Sequence, residues 1–391
     1  MAQKVVIGLS GGVDSSVAAW LLKQDGYEVI GLFMINWHDT TGTLYGDCAW
    51  KDDLTFAELV ARKLDIPLHT VDLSVFYKQR VVDYMFSEYE KGRTPNPDVL
   101  CNREIKFDLF VDAAKKYGAE YVATGHYARC EAIETENGQK YRLLAGVDGN
   151  KDQSYFLCQL SQKQLSTAMF PIGHITKPEV RQIAESLGLA TAQRKDSQGV
   201  CFVGKIDLPV FLQQKLKAVE GVVVEIPSDC PVYKEKNNLD LYDTMQPYSY
   251  TIDMGKVVGK HSGAHFYTIG QRKGLNIGGM QKPLFVIAID VVNNIVYVGQ
   301  GEDHPGLYRK ALYVSEHDIH WIRPDLALDE GDEQRFRVRI RYRQPLQDAS
   351  VLKLENGLAI VFDQAQRGVT PGQFAAWYAE DELVGSGVIA Y

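Results

Sequence analysis

Val5-Val6-Ile7-Gly8-Leu9-Ser10-Gly11-Gly12-Val13-Asp14-Ser15-Ser16 is the stretch on which the reading of this chain turns. Its first five residues are a short apolar, β-rich run, and Val17, Trp20 and Leu21 follow at helical spacing within Ser16 to Lys23. Strand, glycine turn and helix start thus succeed one another without a gap. Glycine lets the backbone turn tightly and approach a ligand, and a helix start offers free N–H groups and a positive dipole end. With hydroxyls at Ser10, Ser15 and Ser16, the stretch reads as an anion cradle, most simply for a pyrophosphate. It lacks the Gly-Lys-Ser/Thr ending of a Walker A loop, and it is not the GxGxxG dinucleotide fingerprint. A bare Gly-Gly turn is structural in most proteins; the full Ser-Gly-Gly-Xaa-Asp-Ser-Ser string in this context favours the phosphate role.

Outward from the cradle, Glu28 to Ile35 reads as a second strand. Leu54, Ala57, Ala61 and Leu64 mark a helix that stops before Pro67. Leu68 to Leu73 is a third strand, and Tyr121 to Thr124 a fourth, after a helix around Asp108 to Lys116. Alternating strands and helices predict right-handed βαβ units and a parallel sheet, with ligands at the carboxyl ends of the strands. Gln162 to Leu189 reads as helical, punctuated by Pro171 and Pro178. Past Val219 the runs Val222 to Ile226, Phe285 to Ile289, Ile295 to Val298, Arg335 to Arg343 and Leu358 to Phe362 are strand-like. The expectation is an α/β, Rossmann-like domain over residues 1–210, a small β-rich domain over 211–282 and a β-barrel over 283–391.

The chain has 391 residues, 42 Lys+Arg against 50 Asp+Glu and 45% hydrophobic residues. That excludes disordered and fibrous classes, and no apolar run is long enough to span a bilayer. A cytoplasmic location with no membrane partner is expected. The net charge of −8 argues at first against a nucleic-acid partner. Against it stand Arg335, Arg337, Arg339, Arg341 and Arg343, at every second position with apolar or aromatic residues between. Period two would put five guanidinium groups on one sheet face, a stripe of roughly 26 Å able to meet several phosphates. The competing reading is a solvated face neutralised by cross-strand carboxylates.

Six cysteines in so long a chain make no disulfide scaffold, and none forms a CxxC pair, so a structural zinc site lacks its signature. Two stand out. Cys101 follows Thr94-Pro95-Asn96-Pro97-Asp98-Val99-Leu100, where Asp98 is the expected N-cap of a helix. Cys101 then falls in the first turn near Arg103 and Lys106, where dipole and cations favour a thiolate. Cys201 follows the polar, cationic Arg194-Lys195-Asp196-Ser197-Gln198-Gly199-Val200. Cys48, Cys130, Cys158 and Cys230 read as packing residues.

The Ser10 to Ser16 string resembles the PP-loop of ATP pyrophosphatases, which implies cleavage of ATP between its α and β phosphates with AMP left on a substrate oxygen. Over essentially its whole length the chain is similar to the bacterial-type tRNA-uridine 2-sulfurtransferases, the MnmA/TrmU family. The blocks that carry this are the PP-loop, Arg93 to Asn102, Ala123-Thr-Gly-His-Tyr127, Lys151-Asp-Gln-Ser-Tyr-Phe156, Lys195 to Phe202, Tyr267 to Leu275, Arg341 to Gln344 and Thr370 to Gln373. The resemblance implies adenylation of the carbon-2 oxygen of a wobble uridine, then sulfur delivery from a persulfide on Cys201. Cys101 would be the partner nucleophile and Asp98 a catalytic acid/base. Gly8, Leu9, Ser10, Gly11, Gly12, Val13, Asp14, Ser15, Met34 and Gly125 would contact ATP, with magnesium on its phosphates. Asn96, Pro97 and Asp98 would hold the target base; His126, Lys151, Asp152, Gln153, Arg341, Tyr342 and Gln373 would touch tRNA. A tRNA of the Lys, Glu or Gln type and a cysteine desulfurase or sulfur relay protein are the implied partners of a monomer. The rival of another class is a PP-loop small-molecule ligase of the argininosuccinate or asparagine synthetase type, which needs neither paired cysteines nor an arginine face. A stretch from Pro227 to Tyr250 is longer than the family's usual middle domain.

Overall fold

The computed structural model describes residues 2–38, 50–195, 208–234 and 240–391. Strands β1 (Lys4–Gly8), β2 (Glu28–Ile35), β3 (Leu68–Asp72) and β4 (Tyr121–Ala123) are followed by a hairpin, β5 (Ala128–Thr135) and β6 (Gly138–Ala145), and by the short β7 (Ala168–Met169). The first sheet is parallel throughout, in the order β3-β2-β1-β4-β7. Its central strand is apolar on both faces. Val5 and Ile7 pack with helix α1 (Val13–Gln24) and helix α2 (Trp50–Leu64), while Val6 packs with Tyr77, Phe110 and Cys101 on the other side. A parallel sheet covered on both faces needs such uninterrupted apolar strands.

The expected helix over Gln162 to Leu189 is interrupted. Gln162–Leu165 is helical, Ala168–Met169 is β7, and a helix resumes at Lys177–Ser186. Pro178 sits in that helix's first turn, where its missing N–H costs nothing, with Thr176 and Glu179 forming a capping box.

Strands β8 (Gly221–Glu225), β9 (Lys256–His261), β10 (Leu284–Asp290) and β11 (Ile295–Gln300) make one sheet, ordered β10-β11-β8-β9. The expected boundary at residue 283 therefore cuts through a sheet: β11 pairs in parallel with β8, so Leu284 to Gln300 belong to the middle domain. Turns and strands alternate similarly on both sides of 283, so composition carried no sign of the pairing.

The barrel consists of β12 (Tyr308–Trp321), β13 (Glu333–Arg339), β14 (Gln347–Leu354), β15 (Gly357–Arg367), β16 (Phe374–Ala379) and β17 (Glu382–Ile389). Antiparallel pairing runs β12-β15-β14-β13-β16-β17 and closes through β12–β17. Trp377, Phe362 and Val338 fill its interior. The hairpin from the first domain adds to it: Leu143 and Leu144 of β6 pair with Leu383 and Glu382 of β17. Asn137-Gly138, with Gly138 at φ +86°, is the turn signal that would have revealed the hairpin from sequence. Within the long middle stretch, the helix Leu241–Met245 packs on the barrel, with Met245 against Ala311 and Ala359 and its carbonyl accepting from Arg309.

Candidate active site

At the carboxyl end of β1 the chain turns on Gly11, at φ +74°, where a Cβ would sit 2.1 Å from the Asp53 carbonyl oxygen. Only glycine fits. The next residue, Gly12, is the N-cap of α1 and supplies no side-chain cap, so the first N–H groups of the helix face outward without a protein acceptor from that position. The loop braces itself: Ser10 N donates to Ser15 Oγ (3.2 Å), and Ser15 Oγ donates to the Gly12 carbonyl (3.1 Å). Ser16 is fully buried, donates to the same carbonyl at 2.7 Å and accepts from Thr191 at 3.0 Å. Its hydroxyl therefore serves the fold, which corrects its expected place among the anion donors. Gly125, after β4, lies against the loop, since a Cβ there would stand 2.7 Å from Ser15 N. On Gly8 a Cβ would come within 3.6 Å of Met34 Cε. The expected ATP contacts from Gly8 to Ser15, Met34 and Gly125 thus meet in one place.

Two cations lock this loop, and sequence reading found neither. Lys177 Nζ donates to both oxygens of Asp14 at 2.8 and 2.9 Å, and Tyr127 OH adds a third bond to Asp14 at 2.7 Å. Arg194 donates to the Gly11 carbonyl (2.7 Å) and to Asp53 (2.8 Å), with its guanidinium 4.1 Å from the Phe56 ring centroid. Burial pushes the Asp53 carboxyl above its ordinary value, and the bond to Arg194 opposes that shift. The capping box at Thr176 was readable as a helix start; nothing local says that Lys177 meets Asp14.

Asn96, not Asp98, caps the helix before Cys101: its Oδ1 accepts from Val99 N (3.4 Å), with Pro97 in the first turn. Proline fits that position because its missing N–H is unneeded there, and this displaces Asp98 inward by two residues. Cys101 follows the turn Pro97–Leu100 and opens a π-helical run, Cys101–Leu109. Such wide turns recur at functional sites. Cys101 is fully buried in the cluster that holds Tyr77, Leu100 and Ile105. The cations expected beside it serve other groups: Arg103 bonds Glu104 (2.7 Å) and Gln159 (2.9 Å), and the charge of Lys106 acts on His126. Cys201 and Cys48 lie outside the described residues. Arg194, tied to Gly11, stands upstream of Cys201 in sequence; Phe211, tilted against Trp37 (6.0 Å between centroids) in the cluster of Cys101, stands downstream. Burial pushes the Cys130 and Cys158 thiols up to about 12, in keeping with packing roles.

His126 is buried, with Nδ1 2.7 Å from Thr124 Oγ1 and its ring between Phe107 and Phe170. Burial, reinforced by the charge of Lys106, holds its imidazole well below the ordinary value, so the ring is neutral at pH 7. Asp152 is buried as well; it accepts from Gly146 N (3.2 Å) and Ser154 N (3.0 Å) and meets Arg339 at 3.0 Å. Gln153 exchanges bonds with the Tyr127 backbone, and the Lys151 carbonyl accepts from Tyr342 OH (3.4 Å). Residues 151–153 are thus a strap between the nucleotide domain and the barrel.

The arginine stripe is shorter than its sequence period suggested. β13 ends at Arg339, so Arg341 and Arg343 leave the sheet. Arg335 is neutralised by Asp363, with bonds of 2.8 and 2.6 Å, and Arg339 is buried over the Tyr378 ring. The cross-strand carboxylate reading holds for Arg335. Arg341 is exposed and donates to the Arg367 carbonyl at 3.0 Å, while Gln373 turns toward Thr94 and Pro95.

Comparison with known proteins bears on this arrangement. Residues 3–205 match the tRNA methyl transferase HUP domain, 243–300 the tRNA methyl transferase PRC-barrel domain and 309–389 the aminomethyltransferase beta-barrel domain. The tRNA-specific 2-thiouridylase MnmA of Christiangramia forsetii is 59% identical over 99% of this chain and 100% of its own length. The chain belongs to the tRNA-specific 2-thiouridylase family. Its relative from Flavobacterium johnsoniae is 58% identical over the same shares, and that from Pseudomonas aeruginosa strain LESB58 is 43% identical over 99% of this chain and 94% of its own. The middle match of this thiouridylase, residues 243–300, takes in Leu284 to Gln300, in line with the pairing of β11 with β8.

Proposed function

We propose that this chain is an ATP-dependent tRNA-uridine 2-sulfurtransferase that acts at the wobble position. The observation that carries the reading is the Ser10–Ser16 cradle, with its open helix start, in a chain that matches 2-thiouridylases from end to end. The cradle's N–H groups would take the β and γ phosphates of ATP. The uridine carbon-2 oxygen attacks the α phosphorus; the bond to the β phosphate breaks and pyrophosphate leaves. The AMP now on that oxygen makes it a leaving group. The outer sulfur of a Cys201 persulfide, loaded by a cysteine desulfurase or relay protein, attacks carbon 2 and AMP departs. Cys101 then attacks the Cys201 sulfur as a thiolate, which frees the thiocarbonyl and leaves a Cys101–Cys201 disulfide for a two-electron thiol reductant. Asp98 would move the proton at the base edge, Asn96 and Pro97 would shape the base pocket, and magnesium would ride on the ATP phosphates.

The tRNA partner, of Lys, Glu or Gln type, and the action as a monomer in the cytoplasm belong to the same proposal. No helix among the described residues is long and apolar enough to cross a membrane. A small-molecule ligase is not favoured, because the similarity runs through the barrel, which such a ligase does not require. The test is nucleoside mass spectrometry of tRNA incubated with ATP and a persulfide donor. Wild type is expected to form 2-thiouridine and Cys201→Ser none; absence of product with the wild type would overturn the reading.

A further inference from the structure

The segment Thr94-Pro95-Asn96-Pro97 enters the expected base pocket and leads to Cys101. Two of its four residues have no N–H, and a residue before proline is driven into extended conformation. Such a segment cannot satisfy its carbonyls by turning on itself. It therefore takes partners from the other two domains. Gln373 Nε2, from the barrel, donates to the Thr94 carbonyl (2.8 Å) and the Pro95 carbonyl (3.2 Å). Thr94 N donates to the Pro371 carbonyl at 2.8 Å, and Thr94 Oγ1 meets Thr268 Oγ1 of the middle domain at 3.2 Å. Gly372, at φ +89°, admits this approach, since a Cβ there would be 3.0 Å from both Thr94 N and O. The barrel turn is itself pinned, with Gly372 N donating to the Ile389 carbonyl and Ile389 N to the Gln373 carbonyl.

We propose that Gln373 is a positioning residue: together with Pro371 and Thr268 it clasps the Thr94–Pro95 backbone and so sets the register of the base pocket against Cys101. This rests on the thiolation reading and deepens it. The Nε2 of the side-chain amide is held by two backbone carbonyls, so the clasp acts on the placement of the pocket and hence on turnover. A rigid support of this kind matters because small misplacements of reacting groups cost large factors in rate.

The experiment compares Gln373→Glu, Gln373→Leu and Thr268→Val in the full chain, with tRNA, ATP and a persulfide donor. Gln373→Glu removes the N–H donor and sets a carboxylate against two carbonyls; kcat for 2-thiouridine formation should fall about tenfold or more. Gln373→Leu should fall similarly and Thr268→Val by about threefold. The Kd for tRNA and the Kd for ATP should stay within about twofold of wild type in all three. A raised tRNA Kd with kcat kept would overturn the proposal in favour of a direct tRNA contact. Unchanged kcat and Kd, or joint loss of ATP binding and Tm, would overturn it as well. If the wild type forms no 2-thiouridine, the thiolation reading fails instead.

Discussion

Lys177 reaches Asp14 across 163 positions of sequence, and the pair sits at the mouth of the cradle. Lys177 is 7% exposed, whereas the Asp14 carboxylate is part-exposed, so removal of Lys177 leaves a half-solvated Asp14 without its counter-charge. Breaking a pair buried on one side only, with solvent and Tyr127 still serving the carboxylate, costs about 1 kcal/mol. We expect Lys177→Met to lower stability by roughly that amount and to weaken ATP binding about tenfold, read by denaturant unfolding and by equilibrium dialysis. Cys101→Ser should fold like the wild type, because the change is small in volume, and should form no Cys101–Cys201 disulfide under single turnover. At this scale the sequence was legible where the chemistry is local. Gly11 needs its left-handed turn within one motif, and Cys101 follows a proline-marked helix start. Asp14–Lys177 and Gly11–Arg194 were illegible because periodicity and propensity say nothing of which distant side chains converge.

Among the elements, β4 and the loop after it act as a wall for the cradle. Gly125→Val would drive a side chain into the Ser15 backbone, at 2.7 Å from its first carbon alone, and ATP binding should be abolished. Gly138→Ala, at a hairpin turn with nothing within 4 Å, should cost about 1 kcal/mol and leave ATP binding intact. β13 teaches the opposite lesson about reading an element from its period. Five arginines alternate in sequence, but the strand ends at Arg339, and a cross-strand carboxylate takes up Arg335. Arg335→Ala should therefore leave tRNA affinity unchanged. Arg341→Ala, outside the strand and exposed, should weaken tRNA binding and reduce the salt slope of log K by about one. Alternation predicted the inward apolar face of β13 correctly, since Phe336 and Val338 are core residues, and failed on Arg339, which is buried, and on where the strand stops.

Across the whole molecule, His126, His261, His265, His304 and His320 are all held below the ordinary imidazole value, with burial the leading cause in each. The unfolded chain binds more protons than the folded one wherever pH lies below about 6.5 and above the depressed values. Stability should therefore be present at pH 7.5 and be lost as pH falls through that region. The slope of Tm against pH should flatten in His126→Gln; an unchanged slope would remove His126 from the account. The order of domains, α/β and then two β units, was legible from strand and helix spacing. The turn of the β5–β6 hairpin was marked by Asn137-Gly138, but its docking on β17 and the seam at residue 283 were not legible, because pairing of strands between distant segments leaves no periodic trace. That hairpin has a consequence for biosynthesis. Arg142 of β6 bonds Glu382 of β17, a residue 240 positions later. At roughly 5–20 residues per second, the ribosome makes the second partner about 10–50 s after the first. The nucleotide domain thus waits on the ribosome with an open sheet edge, a surface on which nascent chains aggregate or recruit chaperones. Truncation just before Glu382 should leave that edge permanently bare and shift the protein into the insoluble fraction, even though every residue of the cradle is still present.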